Sequence, residues 1–210
     1  MPRPPRIYIP DMSLHVFHRG NNYSAIVLDD EDHDRLLEII ARAANRHGVS
    51  VHAFAVMTTH YHLVVTPAGK GFLPKAMQEI GIRYTRYFNR KYGRIGTMWN
   101  DRYGAALLDS ERYWFNCLRY VELNPLNAHM VAAPELYRWS SYRVHALGDS
   151  SDWLTPHPLY LALGPAPAVR QAAYRSMCAI PLTFDEEILL RYPHHPKVTT
   201  VAQPAAETRN

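Results

Sequence analysis

Polar and apolar positions alternate in three segments of the first third of the chain, and this alternation predicts three strands. The first runs from Ser13 to Gly20. The other two, Val49 to Met57 and Tyr61 to Pro67, are joined by two threonines as a hairpin. Between the first strand and the hairpin, acidic residues precede apolar ones that recur every three or four positions. This spacing predicts an amphipathic helix from Asp29 that ends at Gly48.

Helical spacing returns from Leu73 to Tyr92, where Gly93 ends the helix, and a glycine-containing loop leads to a last strand from Arg102 to Leu108. A further helix begins at Ser110, a preferred N-cap residue, and runs to Asn124, where Pro125 is expected to stop it. The order β-α-β-β-α-β-α predicts an α+β fold, in which helices pack against a small antiparallel sheet.

The last third of the chain has a less regular pattern. Segments 136–148, 168–179 and 184–191 have helical spacing, whereas the residues after 192 are mostly polar. The pattern therefore divides the chain into a main domain at 1–147, a helical C-terminal extension at 148–192 and a disordered tail at 193–210.

Composition excludes several classes of protein. The hydrophobic fraction of 47% is ordinary for a globular domain, and no apolar run approaches the roughly 20 residues that span a bilayer. Because the start of the chain lacks the apolar region of a signal peptide, we expect a cytoplasmic protein without a membrane partner. Cys117 and Cys178 lack metal-type spacing and are interpreted as core thiols.

The net charge is only +4, but basic residues cluster between positions 83 and 94 and alternate with aromatic ones. The cluster contains Arg83, Arg86, Arg90, Lys91 and Arg94 together with Tyr84, Tyr87, Phe88 and Tyr92. Guanidinium groups that follow phosphates and rings that stack on unpaired bases are typical of single-strand binding. The alternative is an amphipathic helix with its aromatic residues in the core and its arginines in solvent.

Two histidines, His60 and His62, are separated by one residue in the third predicted strand. Successive side chains of a strand point to opposite faces, so both imidazoles lie on the same face. They are candidate ligands for a divalent metal, to which DNA phosphate or other oxygen atoms would add further ligands. The alternative is a chance pair, with one ring buried and the other exposed.

Tyr120 and Asn124 are four residues apart on the predicted helix and therefore share a face. A tyrosine oxygen can attack phosphorus and form a covalent ester with DNA, which divides one displacement into two reversible steps. The structural alternative is a tyrosine packed on the sheet and an asparagine that caps the helix before Pro125.

These residues resemble the HUH single-tyrosine transposases, and within them the REP-associated tyrosine transposases, from about Arg6 to Val144. Six segments carry the resemblance in the family's order. They are HVFHRGNN, DDEDHDRLLEII, VMTTHYHLVVTP, RYFNRKYGRIGTMWNDRY, RYVELNPLNAHMV and YRWSSYRVHAL. In this chain Thr58-Thr59 stands where the family usually has Pro-Asn, and Tyr61 stands between the histidines.

The resemblance implies a ferredoxin-like fold in which the main domain is catalytic and the His pair lies on a central strand. It implies that His60, His62 and Asn124 bind a divalent metal, Mg or Mn, and that Tyr120 is the nucleophile. The product would be a 5′-phosphotyrosine and a free 3′-hydroxyl, formed on a palindromic repeat folded as a hairpin. Tyr113, seven residues earlier, is an alternative nucleophile but lacks an asparagine partner four residues on.

Further basic residues outside the cluster are candidate DNA contacts. Arg19 lies just before Gly20 at the end of the first strand, Arg102 opens the last one, and Arg3 and Arg6 lie at the start of the chain. Trp99 is interpreted either as a DNA contact or as a core residue.

Three functions remain open from the sequence. The first is a metal-dependent endonuclease and strand transferase acting on single-stranded or hairpin DNA, as a monomer or a homodimer. The second is a domesticated hairpin-binding protein without cleavage activity. The third, a metallohydrolase that activates water, lacks an acidic residue at ligand spacing beside His62.

Overall fold

Four antiparallel strands form the centre of the structure, a computed structural model that describes residues 9–191. The strands are β1 (Leu14–Arg19), β2 (Val49–Val56), β3 (His60–Pro67) and β4 (Gly104–Leu107). Their order across the sheet is β2-β3-β1-β4. This order, with the helices between the strands, is ferredoxin-like and confirms the predicted α+β class. The chain start with Arg3 and Arg6 and the tail at 193–210 lie outside the described residues.

Helices α1 (Asp30–Arg46) and α2 (Phe72–Tyr92) cover one face of the sheet. The α1 helix starts where the Asp29 side chain accepts a hydrogen bond from the backbone of Asp32, which satisfies a free N–H of the first turn. Its apolar residues Leu36 and Ile40 are fully buried against the strands. Burial of each such side chain contributes about 1.5–3 kcal/mol relative to exposure.

Helix α3 (Glu111–Asn127) covers the opposite face of the sheet. Ser110 caps its first turn, as predicted, by accepting a hydrogen bond from the Tyr113 backbone. The strands present Ala53 and Ala55 to the helix, and both are fully buried. Such small side chains allow the helix axis to approach the sheet closely, which brings the side chains of α3 within reach of the strand residues.

The prediction that Pro125 stops this helix was wrong. Proline costs stability mainly in a helix interior, where it removes one hydrogen bond to the carbonyl four residues before it. Pro125 lies in the last turn, and the Ala128 N–H still donates to the Asn124 carbonyl. The helix therefore continues to Asn127.

Four shorter helices follow: α4 (Tyr142–Leu147), α5 (Pro158–Leu161), α6 (Pro167–Cys178) and α7 (Phe184–Arg191). The predicted helices at 168–179 and 184–191 are confirmed. The helix predicted at 136–148 is present only as α4, because the residues before it pair with β2. The Val56 N–H donates to the Trp139 carbonyl and the Tyr137 hydroxyl donates to the Val56 carbonyl.

A buried carboxylate joins α3 to the C-terminal helices. Glu122, fully buried, accepts hydrogen bonds from Ser141, from Nδ1 of His145 at 2.6 Å and from the Tyr174 hydroxyl at 2.6 Å. Three donors from two segments, the start and interior of α4 and the α6 helix, compensate the loss of hydration at one carboxylate. The orientation of α3 therefore depends on residues up to 52 positions further along the chain.

A second chain of polar contacts ties the segment before α5 to the sheet. His157 Nε2 lies 3.1 Å from the Ser13 hydroxyl, which lies 2.8 Å from the Thr66 hydroxyl. Thr66 contacts His52 Nε2, and Nδ1 of His52 donates to the Thr155 carbonyl. Burial lowers the pKa of His157 to about 4, so its ring is neutral near pH 7.

The two cysteines are free, with Cys117 buried and Cys178 half-buried. Burial raises the pKa of Cys178 to about 12, so its thiol stays protonated and unreactive near pH 7. Among residues 9–191, no helix is both long and apolar enough to cross a membrane.

Replacing Glu122 with Leu should lower the free energy of unfolding by about 3–5 kcal/mol, because His145 and Tyr174 lose a buried acceptor. Tyr174→Phe, which removes one donor to the same carboxylate, should cost about 1.5–3 kcal/mol. Urea unfolding followed by circular dichroism measures both values. As a control, Arg143→Ala removes an exposed ion pair with Asp149 and an exposed hydrogen bond to the Glu135 carbonyl, and should cost less than about 1 kcal/mol. Wild-type stability in Glu122→Leu would contradict the role of this network.

Candidate active site

The two histidines lie on β3, a central strand, with both rings on the face covered by α3. Their ring centroids are 4.8 Å apart and the rings are nearly perpendicular, at 84°. Tyr61, between them, points to the opposite face and is fully buried in the core under α1 and α2. The strand period therefore places these three side chains as predicted, and Tyr61 does not enter the site.

Helix α3 brings the predicted tyrosine and asparagine to the same place. The Tyr120 ring meets the His62 ring edge-on, with centroids 5.6 Å apart at 83°. The Asn124 amide nitrogen is 3.4 Å from Nε2 of His62. Four residues predicted from two separate motifs thus converge at one site, although about sixty positions separate the two motifs in the chain.

A third histidine, His15, belongs to this site and was missed by sequence reasoning. It lies on β1, fully buried, and its Nε2 is 2.9 Å from Nδ1 of His62. The Tyr120 ring is 5.9 Å from the His15 ring. The alternating pattern of β1 gives the face of His15, but only the pairing of Phe17 with His62 shows that His15 lies beside the candidate ligands.

Burial keeps the histidines neutral. It lowers the pKa of His15 to about 4, and burial together with the charge of Arg19 lowers the pKa of His60 to about 4. The pKa of His62 lies well below its ordinary value, because of burial first and the neighbouring His60, His15 and Arg19 after it. Neutral imidazoles keep a nitrogen lone pair, which is the form that binds metal ions.

The candidate nucleophile is protonated near pH 7. Burial raises the pKa of Tyr120, while the Arg191 guanidinium and a hydrogen bond from Asn124 act in the opposite direction. Tyr120 is half-buried and packs against the core between α3 and the sheet. A positively charged neighbour or substrate-bound cation favours the tyrosinate form.

The donor set fits a divalent metal. His60 and His62 offer ring nitrogens, and the Asn124 side chain can turn its amide oxygen toward the same point. Nδ1 of His60 is 3.1 Å from the Thr59 hydroxyl, a contact that leaves its Nε2 for a metal. Within residues 9–191, no three His, Cys, Asp or Glu side chains form a ready metal cluster. Phosphate or water oxygens therefore have to complete the coordination of a metal at this site.

The alternative nucleophile, Tyr113, occupies a different environment. Its hydroxyl donates to the Leu189 carbonyl of α7 at 3.4 Å, and burial raises its pKa. Glu186 of α7 also binds Arg112 and Asn116 on the same side of α3. The Tyr113 hydroxyl thus contacts the C-terminal extension, whereas Tyr120 contacts the histidines as well as Arg191 of that extension.

The aromatic residues of α2 make contacts within the protein. Tyr84 and Phe88 are buried, with at most 1% exposed, and the Tyr84 hydroxyl donates to the Ile26 carbonyl. The Tyr87 and Tyr92 hydroxyls donate to the buried Asp32 carboxylate. Tyr84 and Phe88 are thus core residues, as the structural alternative predicts, whereas Tyr87 and Tyr92 are half-buried with their hydroxyls bonded to Asp32.

The basic residues that we predicted as DNA contacts lie on different surfaces. Arg19 ends β1 on the face of the site, directly opposite His60 in the strand pairing. Arg83, Arg86 and Arg90 are exposed on α2, on the other side of the sheet. A groove of about 1110 Å³ between α2 and segment 97–103 is bordered by both Arg86 and Arg102.

Some of the predicted contacts have partners within the protein, among them Arg83, whose Nε lies 2.7 Å from the Glu79 carboxylate. The Lys91 ammonium lies 2.8–2.9 Å from carboxylates of Asp29, Glu31 and Asp32, which raise its pKa against the effect of burial. The charge of Lys91 is thus neutralised by carboxylates of the protein itself. Arg94 is exposed and its guanidinium lies over the Phe88 ring, 5.4 Å from the centroid.

Trp99 packs as a core residue. Its ring stacks on His18 with a centroid distance of 4.1 Å, and its indole N–H donates to the Gly81 carbonyl at 3.3 Å. Of the two interpretations of Trp99, the structure supports the core residue.

A sheet of this order, with a histidine pair on a central strand and a tyrosine on the helix that covers them, has the architecture of the single-tyrosine HUH transposases. The chain belongs to the family of IS200-like transposases, which matches residues 9–124, more than half of its length. The matched region contains the His pair, Tyr120 and Asn124.

The chain is similar to two solved structures, of which the first shares its fold. A REP-associated tyrosine transposase bound to a REP hairpin superposes with a TM-score of 0.58 at 16% identity, over 75% of this chain and 93% of the other. A transposase-like protein from Deinococcus radiodurans R1 gives a TM-score of 0.41 at 19% identity, over 62% of this chain and 99% of the other. No curated protein sequence matches the chain.

The contact between His15 and His62 leads to a test that does not depend on catalysis. A side chain that hydrogen-bonds to a ligand histidine holds it in the metal-binding tautomer. Loss of such a partner typically lowers the affinity for the metal by roughly 10–100-fold. We expect His15→Phe to raise the dissociation constant for Mn²⁺ by about that factor. His15→Gln, which keeps an acceptor, should retain part of the affinity. Titration followed by electron paramagnetic resonance of free Mn²⁺ measures the constants.

The matched control is His18→Phe, on the same strand but on the opposite face, where His18 stacks on Trp99. This variant should bind Mn²⁺ like the wild type. Thermal unfolding without metal separates loss of affinity from loss of fold. Equal Mn²⁺ affinity in His15→Phe and the wild type would show that His15 does not position His62.

Proposed function

We propose that this protein is a metal-dependent single-strand DNA endonuclease and strand transferase that forms a 5′-phosphotyrosine intermediate. The observation that carries the proposal is the placement of the Tyr120 ring 5.6 Å from the ring of His62. Family membership supports the reaction class, since IS200-like proteins are tyrosine transposases. Tyr120 is the proposed nucleophile, and His60, His62 and Asn124 are the proposed metal ligands.

A Mg²⁺ or Mn²⁺ ion bound there would polarise the scissile phosphate and stabilise charge on its oxygens. The Tyr120 oxygen forms a bond to phosphorus while the bond from phosphorus to the 3′ oxygen breaks. The phenol loses its proton to solvent and the leaving 3′ oxygen gains one, which gives a free 3′-hydroxyl. Attack by a 3′-hydroxyl on the phosphotyrosine reverses these steps and joins two DNA ends.

Arg19 is the proposed phosphate contact at the reacting centre. It faces the site from β1 and lies opposite His60. Its charge lowers the pKa of both histidines, His60 and His62. A guanidinium at this position can form paired hydrogen bonds with phosphate oxygens as their charge increases.

The proposed substrate is single-stranded DNA next to a hairpin formed by a palindromic repeat. The structural relative bound to a REP hairpin supports this substrate class. Exposed arginines on α2 and at Arg102 provide a sequence-independent attraction to the phosphate backbone. The groove between Arg86 and Arg102 is the proposed path for the DNA beyond the site.

The central test is the covalent adduct. Wild-type protein incubated with labelled hairpin-bearing single-stranded DNA and Mg²⁺ or Mn²⁺ should give a protein-DNA species on a denaturing gel. Tyr120→Phe should give none, because it lacks the attacking oxygen, while Tyr113→Phe should retain the adduct. Loss of the nucleophile should reduce the rate of product formation roughly a thousandfold or more, as is typical when an essential catalytic group is removed.

The outcomes separate the candidate functions. An adduct that persists in Tyr120→Phe and disappears in Tyr113→Phe would move the nucleophile by two helical turns. Cleavage without an adduct would indicate a metallohydrolase that uses water. Hairpin binding with neither product, for several palindromes and both metals, would leave the domesticated binding protein as the function.

The proposed DNA path makes a separate prediction about salt dependence. The Arg86→Ala, Arg102→Ala double variant should bind single-stranded DNA more weakly, because two phosphate contacts are lost. The slope of log affinity against log salt should fall by about 0.7 for each contact. Arg138→Ala serves as the control, since Arg138 pairs with Asp34 on another surface. An unchanged slope in the double variant would exclude this path.

A further inference from the structure

The loop between β1 and α1 carries an exposed aromatic ring next to the candidate active site. Tyr23 is 70% exposed, the most exposed of the tyrosines in the described chain. It is preceded by Asn22, and both residues have left-handed backbone conformations, with φ of 58° and 49°. Two successive non-glycine residues in this region are strained, and such strain persists only where the surrounding structure fixes it.

Hydrogen bonds from neighbouring segments fix this loop. The Gly20 N–H donates to the Thr59 carbonyl at 2.8 Å, and the Asn21 N–H donates to the Met98 carbonyl at 2.7 Å. After the turn, the Ile26 N–H donates to the Thr58 carbonyl at 2.7 Å. A Cβ atom on Gly20 would lie 2.3 Å from the Ser24 carbonyl oxygen, so this close return of the chain requires glycine. The position of Tyr23 is therefore set in advance of any ligand.

The ring of Tyr23 is linked to the candidate active site through Arg19. The Arg19 guanidinium lies over the ring, 4.8 Å from its centroid. Arg19 is paired directly with His60 across the two strands, and side chains at such positions have Cβ atoms about 4.5–5.5 Å apart on one face. An exposed ring, a guanidinium and a candidate metal ligand thus follow one another along the edge of the site.

We propose that Tyr23 and Arg19 form a clamp for one unpaired nucleotide next to the scissile phosphate. The Tyr23 ring stacks on the base and the Arg19 guanidinium binds the adjoining phosphate. This subsite rests on the proposed function, because it assumes single-stranded DNA in the active site. An aromatic face next to a guanidinium is the combination that binds single strands without base preference. The ligand class is therefore an unpaired nucleotide of any base.

An exposed ring has another explanation, in which Tyr23 only shields Arg19 from solvent. The two explanations differ in a measurable property. A stacking ring loses its contribution when the partner base is removed from the DNA, whereas a shielding ring does not depend on the base. A scan with abasic nucleotides distinguishes them.

The experiment measures binding by fluorescence anisotropy in the Tyr120→Phe background with Mn²⁺, so that no cleavage occurs. The probe is a labelled DNA hairpin flanked by thymidine tracts, in which one abasic site is moved a nucleotide at a time. Tyr23→Ala should weaken binding of the intact probe by about 5- to 150-fold, the range of one base-aromatic stack. Tyr23→Phe keeps the ring and should bind like the parent.

At one position in the flank, the abasic site should weaken binding of the parent, and Tyr23→Ala should cause no further loss there. At all other positions the two losses should multiply. Leu28→Ala is the control, because Leu28 is 60% exposed near the same loop but carries no ring. Since Tyr23 is exposed, its variants should keep the thermal unfolding temperature of the parent.

Full affinity in Tyr23→Ala, or losses that multiply at every abasic position, would overturn the clamp. Neither result would affect the proposed function, which is tested by the adduct of the protein with wild-type Tyr120. Conversely, a position-specific loss without any adduct in that protein would support the clamp and count against the nuclease.

Discussion

The packing of α3 on the alanine face of the sheet is the contact on which the candidate site depends. Ala53 and Ala55 leave room for the helix to lie close to β2 and β3, and the helix carries Tyr120 to the ring of His62. Larger side chains at the two alanines would separate the helix from the strands by more than the reach of an edge-on ring contact. Packing of small side chains thus sets the distance between the Tyr120 and His62 rings.

Most of the fold could be predicted from the sequence, because its strands and long helices follow periods of two and 3.6 residues. The errors occurred where a contact with a distant segment outweighed the local pattern. Residues before α4 read as helix but pair with β2 through Trp139. Pro125 reads as a stop, yet its position in the last turn costs only one hydrogen bond. The residues next to Trp139 do not show that it pairs with β2, and the residues next to Pro125 do not show how far the helix continues.

The sequence predicted the two histidines, the tyrosine and the asparagine of the candidate site, but not the residues that surround them. Strand and helix periods place His62 and Tyr120 on the correct faces, but the distance between them depends on how α3 packs. His15 could not be assigned to the site without the register of β1 against β3. The sequence also could not show that the charge of Lys91 is neutralised. Asp29 and its acidic neighbours are about sixty positions away in sequence but within hydrogen-bond distance in space.

The buried carboxylate of Glu122 lies on the same helix as the proposed nucleophile, two positions after Tyr120, and its acceptors are filled by Ser141, His145 and Tyr174. During synthesis on the ribosome, α3 emerges well before Tyr174 does. Until α6 has been made, one oxygen of this carboxylate lacks its donor. The chain therefore completes the support of α3 only after α6 has been made, and a product that stops before Tyr174 would lack one anchor of the helix that carries Tyr120.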